Sequence, residues 1–237
     1  MLVGTRVVFP EDLNQWDADL VQISVYRGMR DRMGVMRQCA SLCRRAGVRF
    51  VIHPVEYSFA GGREDMLSEA IEMARLADLA LIIHDERDPG GGRLSGEGEE
   101  AFRRALDKLG AEAPVSVENA AHSGDIKWFW DRFGGSITLD LGHLESSGMD
   151  SVEFVRSLEP RHLDRLQFVH AHRNGELRGG ITDHWPLEPG CREMEALAAL
   201  LGRKGDLSVI LELNETGSIG ENLSLLRALR RGLEEGA

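Results

Sequence analysis

The fold this sequence predicts is a (β/α)8 TIM barrel, a parallel eight-stranded α/β domain spanning residues 1–237 and irregular at its first β/α unit. Three observations predict it. Eight short runs rich in Val, Ile and Leu recur along the chain, most of them apolar almost throughout, as strands buried on both faces must be. Segments with helical apolar spacing separate most of these runs, and strand–helix alternation implies a parallel sheet. The length of 237 residues suits one such barrel, and eight strands favour closure over an open sheet.

The strand-like runs are residues 6–9, 20–25, 49–55, 79–84, 115–118, 137–141, 166–170 and 208–213. Between the first two, residues 10–19 are too few for a full helix, so a loop or a single turn is expected there. Residues 29–46 carry apolar positions at helical spacing and stop at Gly47, a suitable C-cap. The helix expected over 63–77 opens with Glu64 and Asp65, which favour a helix N-terminus, and lines up Met66, Ala70, Ile71 and Ala74. Residues 88–92 form a Gly-rich loop that lacks the Lys-Ser/Thr of a phosphate loop. Further helices are expected over 98–109, ending at Gly110, and over 193–201, ending at Gly202. Asp150-Ser151-Val152-Glu153 reads as a capping box opening a short helix. Ser218 to Glu221 caps the last helix, whose Leu223, Leu226, Leu229 and Leu233 should seal the barrel wall.

The net charge of −11 disfavours polyphosphate partners, which reward basic surfaces through counterion release. No apolar run is long enough to span a bilayer. The N-terminal residues lead straight into a strand-like run without a signal-peptide layout, so a soluble, cytoplasmic protein is the expectation. Cys39, Cys43 and Cys191 lack zinc-knuckle spacing, and a structural disulfide is not expected in a reducing compartment. Cys39 and Cys43 are spaced to share one helix face.

The polar residues gather at one end of the strands. Reading each run toward its C-terminus gives His53, then His84, Glu118, Asp140 with His143, His170 with His172, and Glu212, with His184 in the loop after the seventh strand. Six of the eight histidines thus lie at strand ends or just beyond, where a barrel builds its active site. A carboxylate directly after a buried apolar run is costly unless paired, and three converging would raise one another's pKa. A shared divalent cation removes that conflict. Mixed carboxylate and imidazole donors suit manganese, zinc, iron or cobalt better than calcium, and the expected cofactor is a divalent manganese, zinc, cobalt or magnesium ion. Taken singly, each residue has a plainer role: a histidine satisfied at the core rim, Glu118 or Glu212 paired with Arg, Asp140 capping the next turn. His122 and His162 fall outside the pattern and are expected at the surface.

At these residues the sequence resembles the xylose isomerase-like barrels, which include sugar-phosphate isomerases and epimerases, inosose dehydratases, hydroxypyruvate isomerases and endonuclease IV. The resemblance runs from about the third strand onward. It rests on Val-Glu-Asn at 117–119, Leu-Asp-Leu-Gly-His at 139–143, Val-His-Ala-His at 169–172, His-Trp-Pro-Leu-Glu-Pro-Gly at 184–190 and Leu-Glu-Leu-Asn at 211–214. It implies that Glu118, Asp140, His170 and Glu212 are the four metal ligands of an epimerase-type site, and that His143 contacts substrate or metal. His53, His84 and His184 match further zinc ligands of the nuclease branch. Two positions depart from the pattern: Thr182 stands where the nuclease has Asp, and Arg173 stands where the seventh-strand motif often has an acid.

The first functional expectation is an isomerase or epimerase acting on a small sugar, sugar phosphate or polyol-like carbonyl compound. Glu118 and Glu212 would move the proton through an enediolate, His143 would bond a substrate oxygen, and a divalent metal would act as Lewis acid. His53, His84, His172, His184 and, in the Gly-rich loop expected after the seventh strand, Arg173 and Arg178 are further candidates for metal or substrate binding. Trp128, Trp130 and Trp185 are candidates for an apolar wall, and Trp128 and Trp130 equally for the core. The alternatives are an endonuclease IV-like zinc phosphodiesterase acting on abasic DNA, and a barrel that binds metal or ligand without turnover. A small-molecule substrate is the expected partner. Oligomeric state is left open.

Overall fold

A computed structural model describes residues 1–14, 17–120, 123–177, 180–214 and 216–235. In chain order the elements are β1 (Leu2–Val7), β2 (Leu20–Tyr26), α1 (Arg32–Ala46), β3 (Arg49–Val55), α2 (Glu64–Leu76), β4 (Leu81–His84), α3 (Gly96–Gly110) and β5 (Val115–Glu118). There follow α4 (Ile126–Phe133), β6 (Ser136–Asp140), the short helices α5 (Leu141–Ser146), α6 (Ser151–Arg156) and α7 (Pro160–Arg165), and β7 (Leu166–Ala171). The chain continues through β8 (Arg173–Leu177), β9 (Gly180–Trp185), α8 (Arg192–Arg203), β10 (Ser208–Leu211) and α9 (Ile219–Glu235). Eight strands close into a barrel in the order β1-β10-β7-β6-β5-β4-β3-β2, every pair parallel, while β8 and β9 form a separate antiparallel hairpin. The fold is a (β/α)8 TIM barrel. No helix among the described residues is long and apolar enough to cross a membrane.

The strands alternate between two apolar environments. Val3, Ile23, Ile52, Ile83, Val117, Leu139, Val169 and Leu211 pack outward into one large core with helix residues such as Met36, Phe102, Trp130, Leu197 and Leu226. Leu20, Val51, Ala80, Ile82, Phe168 and Ile210 form a small second cluster inside the barrel. Ser116 and Thr138 join that inner level through a 2.7 Å hydroxyl–hydroxyl hydrogen bond. One strand period further along, the inward positions are Gln22, His53, His84, Glu118, Asp140, His170 and Glu212. An apolar floor therefore lies directly beneath a level of polar and charged side chains.

Most helices stand where expected. Gly47 closes α1 in the left-handed conformation (φ 69°), and Asp150 caps α6 by accepting the Glu153 N–H. Cys39 and Cys43 share the buried face of α1. Leu223 and Leu226 are buried, with Leu229 and Leu233 packed against the same core. Among the described residues, the connection after β1 holds the 3₁₀ turn Pro10–Asn14.

Four expectations need correction. The first strand is Leu2–Val7, not 6–9; Phe9 is half-exposed beyond its end. Gly4 sits opposite Leu20, so close that a side chain there would meet the Leu20 carbonyl oxygen at 2.5 Å. The Gly-rich segment after the seventh strand is the β8–β9 hairpin rather than a loop, and His184 lies within β9. His162 is buried, not at the surface: its ring closes a capping box with Glu159 and lies 3.2 Å from Asp131 Oδ1. Trp130 is core, donating its indole N–H to the Val117 carbonyl at 3.2 Å, and Trp128 packs against the same core. His122 and Arg178 lie outside the described residues.

The close approach at Gly4 is testable. Gly4→Ala forces the β1–β2 backbones apart, which should cost about 2 kcal/mol. A thermal melt should show a midpoint lowered by roughly 4–8 °C in a chain of this size. An unchanged midpoint would show that β1 does not begin at Leu2 as described.

Candidate metal centre

Strand register brings the polar level to one place. His84 is paired with Glu118, and Asp140 with His170, on neighbouring strands, so their side chains share the inner face of the barrel. Glu212 follows β10, with its N–H directed to the Ala171 carbonyl at 3.3 Å. Glu118, Asp140 and His170 are completely buried and Glu212 is 3% exposed. One ligand atom from each of these four residues lies within 4.8 Å of the others.

Each acid is held differently. Asp140 caps α5, with its Oδ1 accepting the His143 N–H at 2.7 Å. The Asn119 amide clamps the Asp140 backbone from both sides, donating to its carbonyl at 2.9 Å and accepting its N–H at 2.8 Å. Glu212 accepts from the Gln22 amide on one oxygen and faces His184 Nε2 at 3.2 Å with the other. Glu118 has no such support. Neither of its oxygens, and neither nitrogen of His170, has a well-directed hydrogen-bond partner, although His170 Nδ1 lies 3.0 Å from Glu118 Oε1.

The charges explain how this arrangement stands. Burial alone would raise the carboxyl groups of Glu118, Asp140 and Glu212, but the neighbouring histidines outweigh it and hold all three below the usual carboxylate range. Burial would likewise lower His170, but Glu118 and Glu212 raise it to about 10. His143 is raised to about 9 against its own burial by Asp140 and Glu118. Imidazolium protons thus balance the buried acids, and a divalent cation could take their place. Glu118 and His170 atoms without a well-directed hydrogen bond, facing two more carboxylates over a dry floor, fit such an ion. The mixed oxygen and nitrogen donors suit a borderline divalent metal.

Two further groups adjoin this one. His53, His84 and Glu118 bring ligand atoms within 4.8 Å of one another, as do His143, His172 and His184. His53 Nδ1 lies 2.9 Å from the Ile82 carbonyl, which can only accept, so in a neutral ring the proton sits on Nδ1 and Nε2 presents its lone pair. That lone pair faces His84 Nε2 at 3.1 Å and Glu118 Oε2 at 3.5 Å. His84, pushed by burial down to about 4, is neutral.

Every candidate residue within the described chain except Arg173 falls into one of the three groups. Arg173 instead donates to the Pro186 carbonyl at 3.3 Å and pairs with Glu188, with its guanidinium 5.9 Å from the Trp185 ring. Sequence reading missed Arg6 and Gln22. With β1 running from Leu2, Arg6 pairs in register with Gln22 and donates to the Leu213 carbonyl (2.8 Å) and Asn214 Oδ1 (2.7 Å), just past Glu212 in the chain. The signal was the run Leu20-Val21-Gln22, the same apolar-x-polar step that marks His53, His84, His170 and Glu212.

No family model matches the chain. Among curated proteins, a "Probable endonuclease 4" of Mycobacterium marinum is 26% identical over 242 residues, covering 92% of this chain and 94% of that protein. A namesake from Mycobacterium leprae is 24% identical over 257 residues, covering 98% of this chain and all of that one. Among solved structures, a D-tagatose 3-epimerase-like protein superposes with a TM-score of 0.74 at 16% identity, covering 100% of this chain and 99% of that chain. A fusion of a xylose isomerase-like TIM barrel with a 4-hydroxyphenylpyruvate dioxygenase gives 0.68 at 16% identity, over 100% of this chain and 44% of that one. These likenesses show the fold of the chain: a (β/α)8 TIM barrel, similar to the barrels of those two structures.

Proposed function

We propose that this protein is a divalent-metal-dependent isomerase or epimerase of a small sugar, sugar phosphate or polyol-like carbonyl compound. The observation that carries the reading is the buried four-residue group of Glu118, Asp140, His170 and Glu212, in which Glu118 and His170 face each other without a well-directed hydrogen bond. Those four residues would hold the metal, which when bound would polarise a substrate carbonyl as a Lewis acid.

The remaining chemistry belongs to the chain. Glu118 and Glu212 come from β5 and β10, with β6 and β7 between them, so they reach the site from separated strands. One glutamate, as the carboxylate, takes the proton from the carbon beside the carbonyl, and the C–H electron pair moves into that carbonyl. The other, entering the step as the protonated acid, delivers its proton from its own side as the pair returns, so the two side chains exchange protonation states. Gln22 and His184 fix the orientation of Glu212. His143, with Nδ1 3.7 Å from Glu118 and 3.5 Å from Asp140, would bond a substrate oxygen.

The loops beyond the strand ends support a small substrate. Arg27, Arg87 with Arg93, and Arg173 are each engaged by a carboxylate: Asp65, Asp125 and Glu188 respectively. A DNA backbone would need such cations to meet its phosphates.

A second reading, a zinc phosphodiesterase acting on abasic DNA, is favoured by the group of His53, His84 and Glu118 and by the relatives named endonuclease 4. Cations held by that group and by the four-residue group beside it would act on a phosphate as Lewis acids.

Metal analysis separates the readings. One tightly held ion per chain is expected for the isomerase, and two or three for the phosphodiesterase. Asp140→Ala should lose the ion; full occupancy in that variant would remove Asp140 from the ligand set. In deuterated water, wild-type protein should incorporate solvent deuterium beside the carbonyl of a ketose substrate. Glu212→Gln should slow that exchange by about 10²–10⁴-fold. Cleavage of abasic DNA without any such exchange would overturn the first reading in favour of the second.

A further inference from the structure

His172, just beyond β7, is completely buried, and both of its ring nitrogens are in use. Nδ1 lies 3.0 Å from the backbone N–H of His184. Nε2 lies 3.2 Å from the Asp140 carboxylate. A backbone N–H can only donate, so Nδ1 must present its lone pair. In a neutral ring the proton then sits on Nε2, aimed at Asp140.

The fit around the ring is close. A side chain at residue 142 would meet the His172 ring at 2.1 Å, so Gly142 makes the space it occupies. On its other face His172 stacks on the His184 ring, with centroids 4.3 Å apart and planes 15° from parallel. His184 itself adopts a left-handed backbone (φ 61°), an uncommon conformation for a residue with a side chain. It is held there from two sides: its N–H by His172, and its carbonyl by the Asn214 N–H at 3.0 Å. From that position its Nε2 reaches Glu212 at 3.2 Å.

We infer that His172 is a positioning residue that ties the β8–β9 hairpin to the candidate metal carboxylate Asp140. The inference rests on the reading of Asp140 and Glu212 as metal ligands. Through His172 the hairpin fixes Asp140, and through His184 it fixes Glu212, so one antiparallel turn sets the aim of two acids on separate strands. His143, His172 and His184 lie close enough to hold a metal, but His172 has no lone pair to offer while it accepts from His184. Its part is to orient a ligand, as partners one step removed from a metal commonly do.

Two substitutions divide the ring's two roles. His172→Gln keeps a donor at the Nε2 position and loses the acceptor; His172→Asn keeps an acceptor at the Nδ1 position and loses the donor to Asp140. Cobalt(II) is the probe, followed by its visible absorption and by competition with a chelator. H172N should bind cobalt about 10–100-fold more weakly than wild type. H172Q, which keeps the donor to Asp140, should bind cobalt more tightly than H172N while exchanging its His184 amide proton faster than wild type. A loss of packing alone would weaken both variants alike and overturn the inference. Undiminished cobalt binding by H172N would also overturn it. If wild type binds no cobalt, the metal reading beneath it fails. Nitrogen NMR of the wild-type imidazoles stands independently of how the variants fold: His172 should carry its proton on Nε2, and a proton on Nδ1 would overturn the inference.

Discussion

Three carboxylates buried over an apolar floor set the terms for this molecule. Leu20, Val51, Ile82, Phe168 and Ile210 exclude water from below, and the helix-facing core seals the strands from outside. Charge in such a place is unstable unless it is balanced. Here the balance is supplied by imidazoles, which is why His170 and His143 hold their protons so tightly. The same arrangement explains the asymmetry among the acids. Asp140 and Glu212 are fixed by directed hydrogen bonds, whereas Glu118 is shared by the four-residue group and the His53–His84 group, with neither oxygen in a well-directed hydrogen bond.

Much of this was legible in the sequence, because strand period and burial are coupled. An inward apolar residue, one outward residue and then an inward polar residue occur as Val51-Ile52-His53, Ile82-Ile83-His84, Phe168-Val169-His170 and Ile210-Leu211-Glu212. Once a strand is placed, its functional side chain follows two residues after its floor residue. The reading failed where placement failed. Residues 6–9 look like a strand because Val7, Val8 and Phe9 are apolar, but the pairing of Gly4 with Leu20 sets the register four residues earlier and turns Arg6 inward. Gln22 was passed over because an amide carries no charge to signal a site.

The β8–β9 hairpin and the burial of His162 were not legible for another reason. Both depend on contacts distant in sequence. Gly175 is needed because the Trp185 ring lies across it, at 2.4 Å from where a side chain would begin. The segment's glycines read as loop until that partner is seen. His162 is buried by Trp130 and Asp131, residues about thirty positions away that no local pattern ties to it. Tertiary packing decides such positions, and propensity does not.

The central claim is that these strands converge on a divalent cation. Crystals grown with manganese or zinc, measured at the absorption edge of the added metal, test it most directly. The account predicts an anomalous peak enclosed by Glu118, Asp140, His170 and Glu212. A metal-loaded crystal with no density among those four side chains, or with the ion bound elsewhere on the barrel, would contradict it.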